Sequence, residues 1–349
     1  MKNTILHGEA LNTLRTMKSE SINCIITSPP YYGLRDYGEE RQLGLEKTPE
    51  EYVQKLVDIL HEARRVLTDD GTLWLNIGDS YAGSGKNRMG DGTSCATGKQ
   101  ATNKGSTQGL LVKTQDVLPS KNLIGVPWMI AFALRADGWY LRQDIIWAKP
   151  NPMPESVKDR CTKSHEYIFL LSKSPKYYFD AAAISEPVAQ STIQRLSQNI
   201  EEQDGSSRVP NKTNRKMKAV APRYGGKKYT AEPDVFNRTK SGGAYEIHEN
   251  RNKRDVWTVS TQPFDGSHFA TFPIRLIEPC VLAGCPSGGI VLDPFFGSGT
   301  TGLAARKHNR NYIGIEINLE YVELANKRLS GLFDTDFENQ IAMFGEAAE

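Results

Sequence analysis

At Thr27-Ser28-Pro29-Pro30-Tyr31-Tyr32 the chain sets a hydroxyl, two prolines and an aromatic ring side by side. Proline has no N–H, so the stretch presents mostly acceptors: the Ser28 hydroxyl oxygen and the carbonyls of Ser28 and Pro29. Two prolines in succession neither extend a sheet ladder nor begin an ordinary helical turn, so the acceptors sit on a stiff, extended backbone. A rigid row of acceptors beside a ring face suits a flat heterocycle carrying an exocyclic amino group. The oxygens take the amino hydrogens and the ring stacks on the base. The bland alternative is a turn that closes a strand over two buried tyrosines, and Pro-Pro-Tyr by itself fits that as well.

A second stretch lies far along the chain. Ile290-Val291-Leu292-Asp293-Pro294-Phe295-Phe296 runs into Gly297-Ser298-Gly299-Thr300-Thr301-Gly302. It reads as a buried strand, a glycine-rich turn and a helix over 303–307. The glycines permit a tight turn and let a ligand lie against bare backbone near a helix N-terminus. A further strand, Tyr312-Ile313-Gly314-Ile315, ends in Glu316, where a carboxylate can grip the two hydroxyls of a ribose. Gly297–Gly302 is literally G-x-G-x-x-G, the dinucleotide fingerprint, which keeps an NAD-dependent oxidoreductase open as a reading. Asp293 and the Phe295-Phe296 pair favour adenosine joined to an amino-acid tail over a pyrophosphate.

Together these residues carry a resemblance. Thr27-Ser28-Pro29-Pro30-Tyr31 first and Asp293-Pro294-Phe295-Phe296-Gly297-Ser298-Gly299-Thr300 last resembles the amino-group DNA methyltransferases, in the motif order of their β group. It covers about residues 1–185 and 256–330. It implies an α/β, Rossmann-like S-adenosylmethionine-dependent fold: a mixed, mostly parallel seven-stranded sheet with helices on both faces and an inserted target-recognition region. It implies Ser28, Pro29, Pro30 and Tyr31 as the catalytic loop, with Tyr31 stacking on an extruded base. The S-adenosyl-L-methionine site it implies takes in Glu9, Thr27, Phe272, Asp293, Phe295, Gly297, Ser298, Gly299, Thr300 and Glu316. Glu9 stands where the family places an acidic residue for the cofactor's adenine, although aspartate is more usual there; a plain first-turn helix carboxylate explains it nearly as well. Ser at the first motif position is more often seen with cytosine-N4 enzymes and Asp or Asn with adenine-N6 enzymes. The expected reaction is therefore methylation of cytosine N4 in DNA, with adenine N6 as the alternative.

These residues need strands and helices to hold them. Thr4–His7, Ile22–Ile26, Thr72–Asp79, Tyr140–Trp147 and Ser164–Leu171 read as strands by length and β-branched content. Pro49–Leu67 carries apolar residues at 53, 56, 57, 60, 63 and 66–67, the spacing of a surface helix packed on a sheet, and Thr68-Asp69-Asp70-Gly71 ends it. Leu11–Met17, Pro127–Ala136, Ile274–Ala283 and Glu320–Leu329 read as further helices. Gly33–Gly38 reads as a loop over the active site, and Asp79 as a cofactor-side loop residue without a firm role. Trp147-x-Lys149-x-x-Pro152 and His165-Glu166 recur in the β group near the flipped-base pocket. Pro279-Cys280 matches the nucleophile of cytosine-C5 methyltransferases, but inside a helix it reads as a core cysteine. Cys161 and His165 lack companions at zinc spacing, so no metal site is expected.

Two stretches break the pattern. Tyr81–Gln115 is rich in Gly, Ser, Thr, Lys and Asn and cannot build its own core, which marks a mobile loop over about 82–120. Lys86, Arg88, Lys99 and Lys104 there could meet phosphates. Residues 190–255 hold 14 Lys/Arg and 8 Asp/Glu, a net +6 in a chain whose total is +2, so the remainder is net −4. Basic side chains alternate there with Asn, Gln, Tyr and Gly, types that bind phosphates and read base edges. The organisation expected is a first catalytic part over 1–185, a target-recognition region over 186–255 and a second catalytic part over 256–349, with residues 331–349 as a loose tail. The start of the chain carries no signal-peptide run, no apolar stretch approaches a membrane span, and five scattered cysteines suit a reducing cytoplasm. The partner expected is double-stranded DNA; the sequence leaves open both a restriction–modification enzyme with a cognate restriction endonuclease and a solitary or phage-borne one, with the chain a monomer or homodimer in a bacterial, archaeal or phage setting. A catalytically dead DNA-binding regulator, or an RNA or protein substrate, are the remaining alternatives.

Overall fold

Short β-branched runs bounded by Gly, Pro or Asp form the middle of a sheet, and the amphipathic segments between them cover its two faces. The computed structural model describes residues 2–34, 37, 39, 41–82, 118–191, 250–261 and 272–331. Within them the chain runs β1 (Thr4–His7), α1 (Ala10–Thr16), β2 (Ile22–Thr27), α2 (Pro49–Val66), β3 (Leu67–Ile77), α3 (Val126–Ala136), β4 (Tyr140–Ala148) and β5 (His165–Ser172). There follow β6 (Glu186–Pro187), β7 (Asn250–Arg251), β8 (Val256–Thr258), α4 (Ile274–Gly284), β9 (Ile290–Asp293), α5 (Thr300–Lys307), β10 (Asn311–Glu316) and α6 (Leu319–Leu329).

The main sheet has the order β1-β10-β9-β2-β3-β5-β4-β8. The pairings among β1, β10, β9, β2 and β3 are parallel, β5 runs antiparallel to both of its neighbours, and β8 runs parallel to β4. The described sheet thus has one strand more than the seven expected. The extra strand, β8, is three residues long, too short to be signalled by periodicity. Alternation along each central strand sorts the core. Ile25, Leu73, Leu75 and Leu292 face α1, α2 and α3, whereas Cys24, Ile26, Trp74 and Val291 face α4, α5 and α6.

Local chemistry sets the ends of these elements. Thr48 caps α2 by accepting from Glu51 N at 3.2 Å, Pro49 occupies the first turn, and Tyr52, Leu56, Leu60 and Ala63 form the fully buried stripe. The segment expected to end α2 does so by another route: β3 begins at once, at Leu67. Ile22 pairs with Leu67 and Cys24 with Thr72, so Thr68–Gly71 is a bulge held by Tyr178 N donating to Asp70 O at 2.9 Å. Pro279 and Cys280 lie inside α4, and the Cys280 thiol is buried.

The chain divides into two compact units, 1–184 with 254–349 and 185–253. The second, as far as it is described, pairs β6 with β7 antiparallel, with Glu186 bridged to Lys253 at 3.1 Å and Arg251 at 3.7 Å. Most of the expected basic recognition region (192–249), of the glycine- and serine-rich loop (83–117) and of the tail (332–349) lies outside the described residues. No helix among the described residues is long and apolar enough to cross a membrane.

Candidate active site

The crossover from β2 through α2 leads to β3 on one side, and the crossover from β9 through α5 leads to β10 on the other. The adjacent strands β2 and β9 are therefore the point where the winding reverses, and a crevice opens at their carboxyl ends. Ser28 follows the end of β2 and Asp293 ends β9. A cavity of about 1250 Å³ lies there, walled also by the ends of β1 and β10 and by the residues after β3.

Asp293 staples the two strands. Its carboxylate is only 2% exposed, Thr27 Oγ1 donates to Oδ1 at 2.6 Å and Thr301 Oγ1 donates to Oδ2 at 2.6 Å. Phe295 N adds a bond to Oδ1 at 3.0 Å. Burial pushes the carboxyl up from its ordinary 3.8 to about 6, against the lowering effect of the Thr27, Thr301 and Phe295 bonds. One side chain thus ties the last residue of β2, the first turn of α5 and the start of the glycine-rich turn.

The turn itself is shaped by Phe296 and Glu316. Phe296 is buried beneath it, stacked on Tyr312 with ring centroids 5.7 Å apart. A Cβ on Gly314 would run into the Phe296 ring, so that strand position must be glycine. Gly299 caps α5 in the left-handed region at φ +84°. Glu316 accepts from Gly297 N through Oε2 and from Asn318 N through Oε1, both at 2.8 Å. Burial raises its carboxyl, and the Asn318 and Gly297 bonds pull it back. Each oxygen keeps lone-pair capacity for a further donor in the cavity, as a ribose diol requires. Phe295 remains half-buried and lines the same space.

On the other side stand the acceptors. Tyr52 OH donates to Pro30 O at 2.9 Å and ties the loop to α2, and Ser28, Pro29 and Pro30 line the cavity. Tyr31 OH donates to Glu166 Oε2 at 2.7 Å and lies 3.2 Å from Asn76 Oδ1, and Ser28 Oγ reaches the same phenol at 3.5 Å. Burial and then the Glu166 charge hold the phenol well above its ordinary range. Glu166 Oε1 is paired with Lys149, whose ammonium stands 4.1 Å from the Trp147 ring centroid.

Of the residues chosen from sequence, Glu9, Ser28, Pro29, Pro30, Tyr31, Phe272, Asp293, Phe295, Gly297, Ser298, Thr300 and Glu316 all line this one cavity. Thr27 and Gly299 stand behind its wall: the Thr27 hydroxyl is fully buried on Asp293, and Gly299 turns the chain into α5. Glu9 is the N-cap of α1, accepting from Asn12 N at 3.1 Å, while also lining the cavity. Asp79 turns out to be a helix cap at long range. Its carboxylate accepts from Gly125 N at 3.0 Å and Val126 N at 3.2 Å, where the cap residue Gly125 has no side chain of its own. Asn76 is one site residue that sequence reasoning missed, with Lys163 and Tyr321 among the others on the cavity wall; a lone asparagine in an apolar strand pattern was the signal for it. Of the loop expected over the site, Leu34 and Tyr37 do line the cavity, and Arg35, Asp36 and Gly38 lie outside the described residues.

The family model for a DNA methylase (N6_N4_Mtase) matches residues 22–327. The chain is 44% identical over 331 residues to type II methyltransferase M.Cfr9I of Citrobacter freundii, covering 94% of this chain and 88% of that one. It is 42% identical over 325 residues to M.SmaI of Serratia marcescens, covering 93% and 90%. Among solved structures it resembles PvuII DNA methyltransferase (cytosine-N4-specific), with a TM-score of 0.58 at 17% identity over 98% of this chain and 93% of that one. A Thermus thermophilus protein complexed with S-adenosyl-L-methionine shares the fold with a TM-score of 0.51 at 19% identity, over 94% and 93%.

Proposed function

This chain belongs to the DNA methylase family and is an S-adenosylmethionine-dependent methyltransferase acting on an exocyclic amino group of DNA; we propose that the amino group is N4 of cytosine. The observation that carries the choice of base is Ser28 at the first position of the catalytic loop, beside the cavity. A neutral hydroxyl there offers an oxygen to the amino hydrogens while its own proton points toward the Tyr31 phenol. Adenine N6 is the alternative, since the same acceptors fit any planar amine.

The donor set fits the cofactor. Glu316 offers carboxylate oxygens for a diol, Phe295 an apolar face, and Glu9 and Phe272 line the same cavity. Bound there, S-adenosylmethionine supplies an electrophilic methyl group. The protein's own work is placement. The Ser28 oxygen and the Pro29 carbonyl draw the amino hydrogens, favour a pyramidal nitrogen and stabilise the positive charge that develops on it. Tyr31 stacks on the extruded base. The loop's rigidity holds these groups in register, and no covalent intermediate with the enzyme forms.

We further read residues 186–255 as the target-recognition region. The +6 excess of 190–255 and a separate compact unit over 185–253 support this. The type II relatives support a role in restriction–modification on double-stranded DNA; a cognate endonuclease as partner and the cytoplasm as compartment belong to the same proposal. The test is to incubate the chain with unmethylated DNA and labelled S-adenosylmethionine and to analyse the digested nucleosides by mass. N4-methylcytosine is expected. N6-methyladenine would overturn the assignment from Ser28 while leaving the site intact, and no methylated nucleoside would move the substrate away from DNA.

A further inference from the structure

We propose that Glu166 is a positioning residue for methyl transfer: its carboxylate, held by Lys149, keeps the Tyr31 ring in the place where it receives the base. The inference rests on reading Ser28–Tyr31 as the base site. Glu166 sits at the start of β5, 135 residues from Tyr31, and accepts a hydrogen bond from the phenol at 2.7 Å. The hydroxyl lies on the long axis of the ring, so this bond fixes where the ring points but not its rotation about that axis. Rotation is limited by Gly78: a Cβ there would lie 2.7 Å from Tyr31 Cε2 and 3.4 Å from Glu166 Cγ. Ring, carboxylate and glycine backbone are thus packed against one another.

The carboxylate is itself fixed. Lys149 pairs with Oε1, leaving Oε2 for Tyr31, and Asn76 Nδ2 approaches Oε2 at 3.4 Å while donating to Tyr167 O at 3.1 Å. Lys149 and Glu166 side chains are 17% and 15% exposed, so water competes little for either. A stacking platform has to be in position before the base arrives if it is to hold the amino nitrogen in line with the methyl donor. An aromatic ring hung on one flexible bond does not meet that need, and a ring tethered at its far end does.

Removing the acceptor should therefore act on turnover. Glu166→Ala should lower kcat roughly tenfold or more, the size expected for losing a hydrogen bond to a charged group. The KM for S-adenosylmethionine should stay unchanged. Glu166→Gln, which keeps an oxygen for the phenol, should recover most of the loss. Tyr31→Phe should lose as much as Glu166→Ala, and Glu166→Ala in the Tyr31→Phe background should cost nothing more, because the effect runs through the hydroxyl. Equal losses from Glu166→Ala with and without that hydroxyl would overturn the inference, as would full activity in Tyr31→Phe. Should Glu166→Ala not fold, Tyr31→Phe and Glu166→Gln decide, the first by losing kcat and the second by retaining it. A wild-type chain inactive on DNA overturns the base-site reading and this inference with it; an active wild type with additive losses overturns this inference alone.

Discussion

Replacing Asp293 with asparagine isolates the energetic cost of a charge at the junction of β2, β9 and α5. The carboxyl titrates at about 6 in the folded chain against 3.8 ordinarily, because burial outweighs the three hydrogen bonds it accepts. The folded state therefore holds this proton more tightly than the unfolded chain does. The stabilisation from that proton is fully present below about 3.8 and is lost as pH rises through about 6. At 1.36 kcal/mol for each tenfold, the interval from 3.8 to about 6 amounts to about 3 kcal/mol. The Asp293→Asn variant would carry no such titration, and its amide can serve both threonines, accepting from one hydroxyl and donating to the other. Urea unfolding of both proteins across the range then gives a difference curve. Wild-type stability relative to Asp293→Asn should fall by about 3 kcal/mol between about pH 3 and about pH 8. A flat difference would mean that the Thr27, Thr301 and Phe295 bonds fully offset the burial, and one rising with pH that they more than offset it; either would refute the reasoning.

Gly314→Ala should destabilise the chain by about 1–3 kcal/mol or more, because its Cβ would collide with the Phe296 ring; thermal unfolding measures it, and an unchanged Tm would sink the packing argument. Asp79→Ala should cost about 0.5–2 kcal/mol by uncapping α3, read by urea denaturation, with the smaller Asp79→Asn loss as control. Glu316→Gln should weaken S-adenosylmethionine binding roughly tenfold to a hundredfold, since an amide N–H would face either Gly297 N or Asn318 N; titration calorimetry showing wild-type affinity would contradict the role given to this carboxylate.

The candidate site was legible in sequence where chemistry is local. Prolines 29 and 30 dictate a stiff row of acceptors whatever surrounds them, and the glycines of 297–302 announce a tight turn before a helix. Amphipathic spacing marked α2, and a proline-bearing helix correctly demoted Cys280 to the core. What the sequence could not decide was which groups face each other. Thr27 reads like a cofactor ligand, yet its partner is Asp293, 266 residues away, and the pairing exists because β2 and β9 are neighbours in the sheet. Asp79 reads as a loop residue without a firm role; it lines the cavity and also caps a helix that begins 47 residues later with a bare glycine. Asn76, Lys149 and Glu166 gain their meaning from β5 lying antiparallel between β3 and β4, which sets Asn76 opposite Ile168, sets Lys149 just beyond the end of β4, and brings both to the carboxylate that accepts from Tyr31. A hydrogen bond between strands depends on register and direction, and those are fixed by the packing of the whole sheet rather than by any stretch of residues read alone.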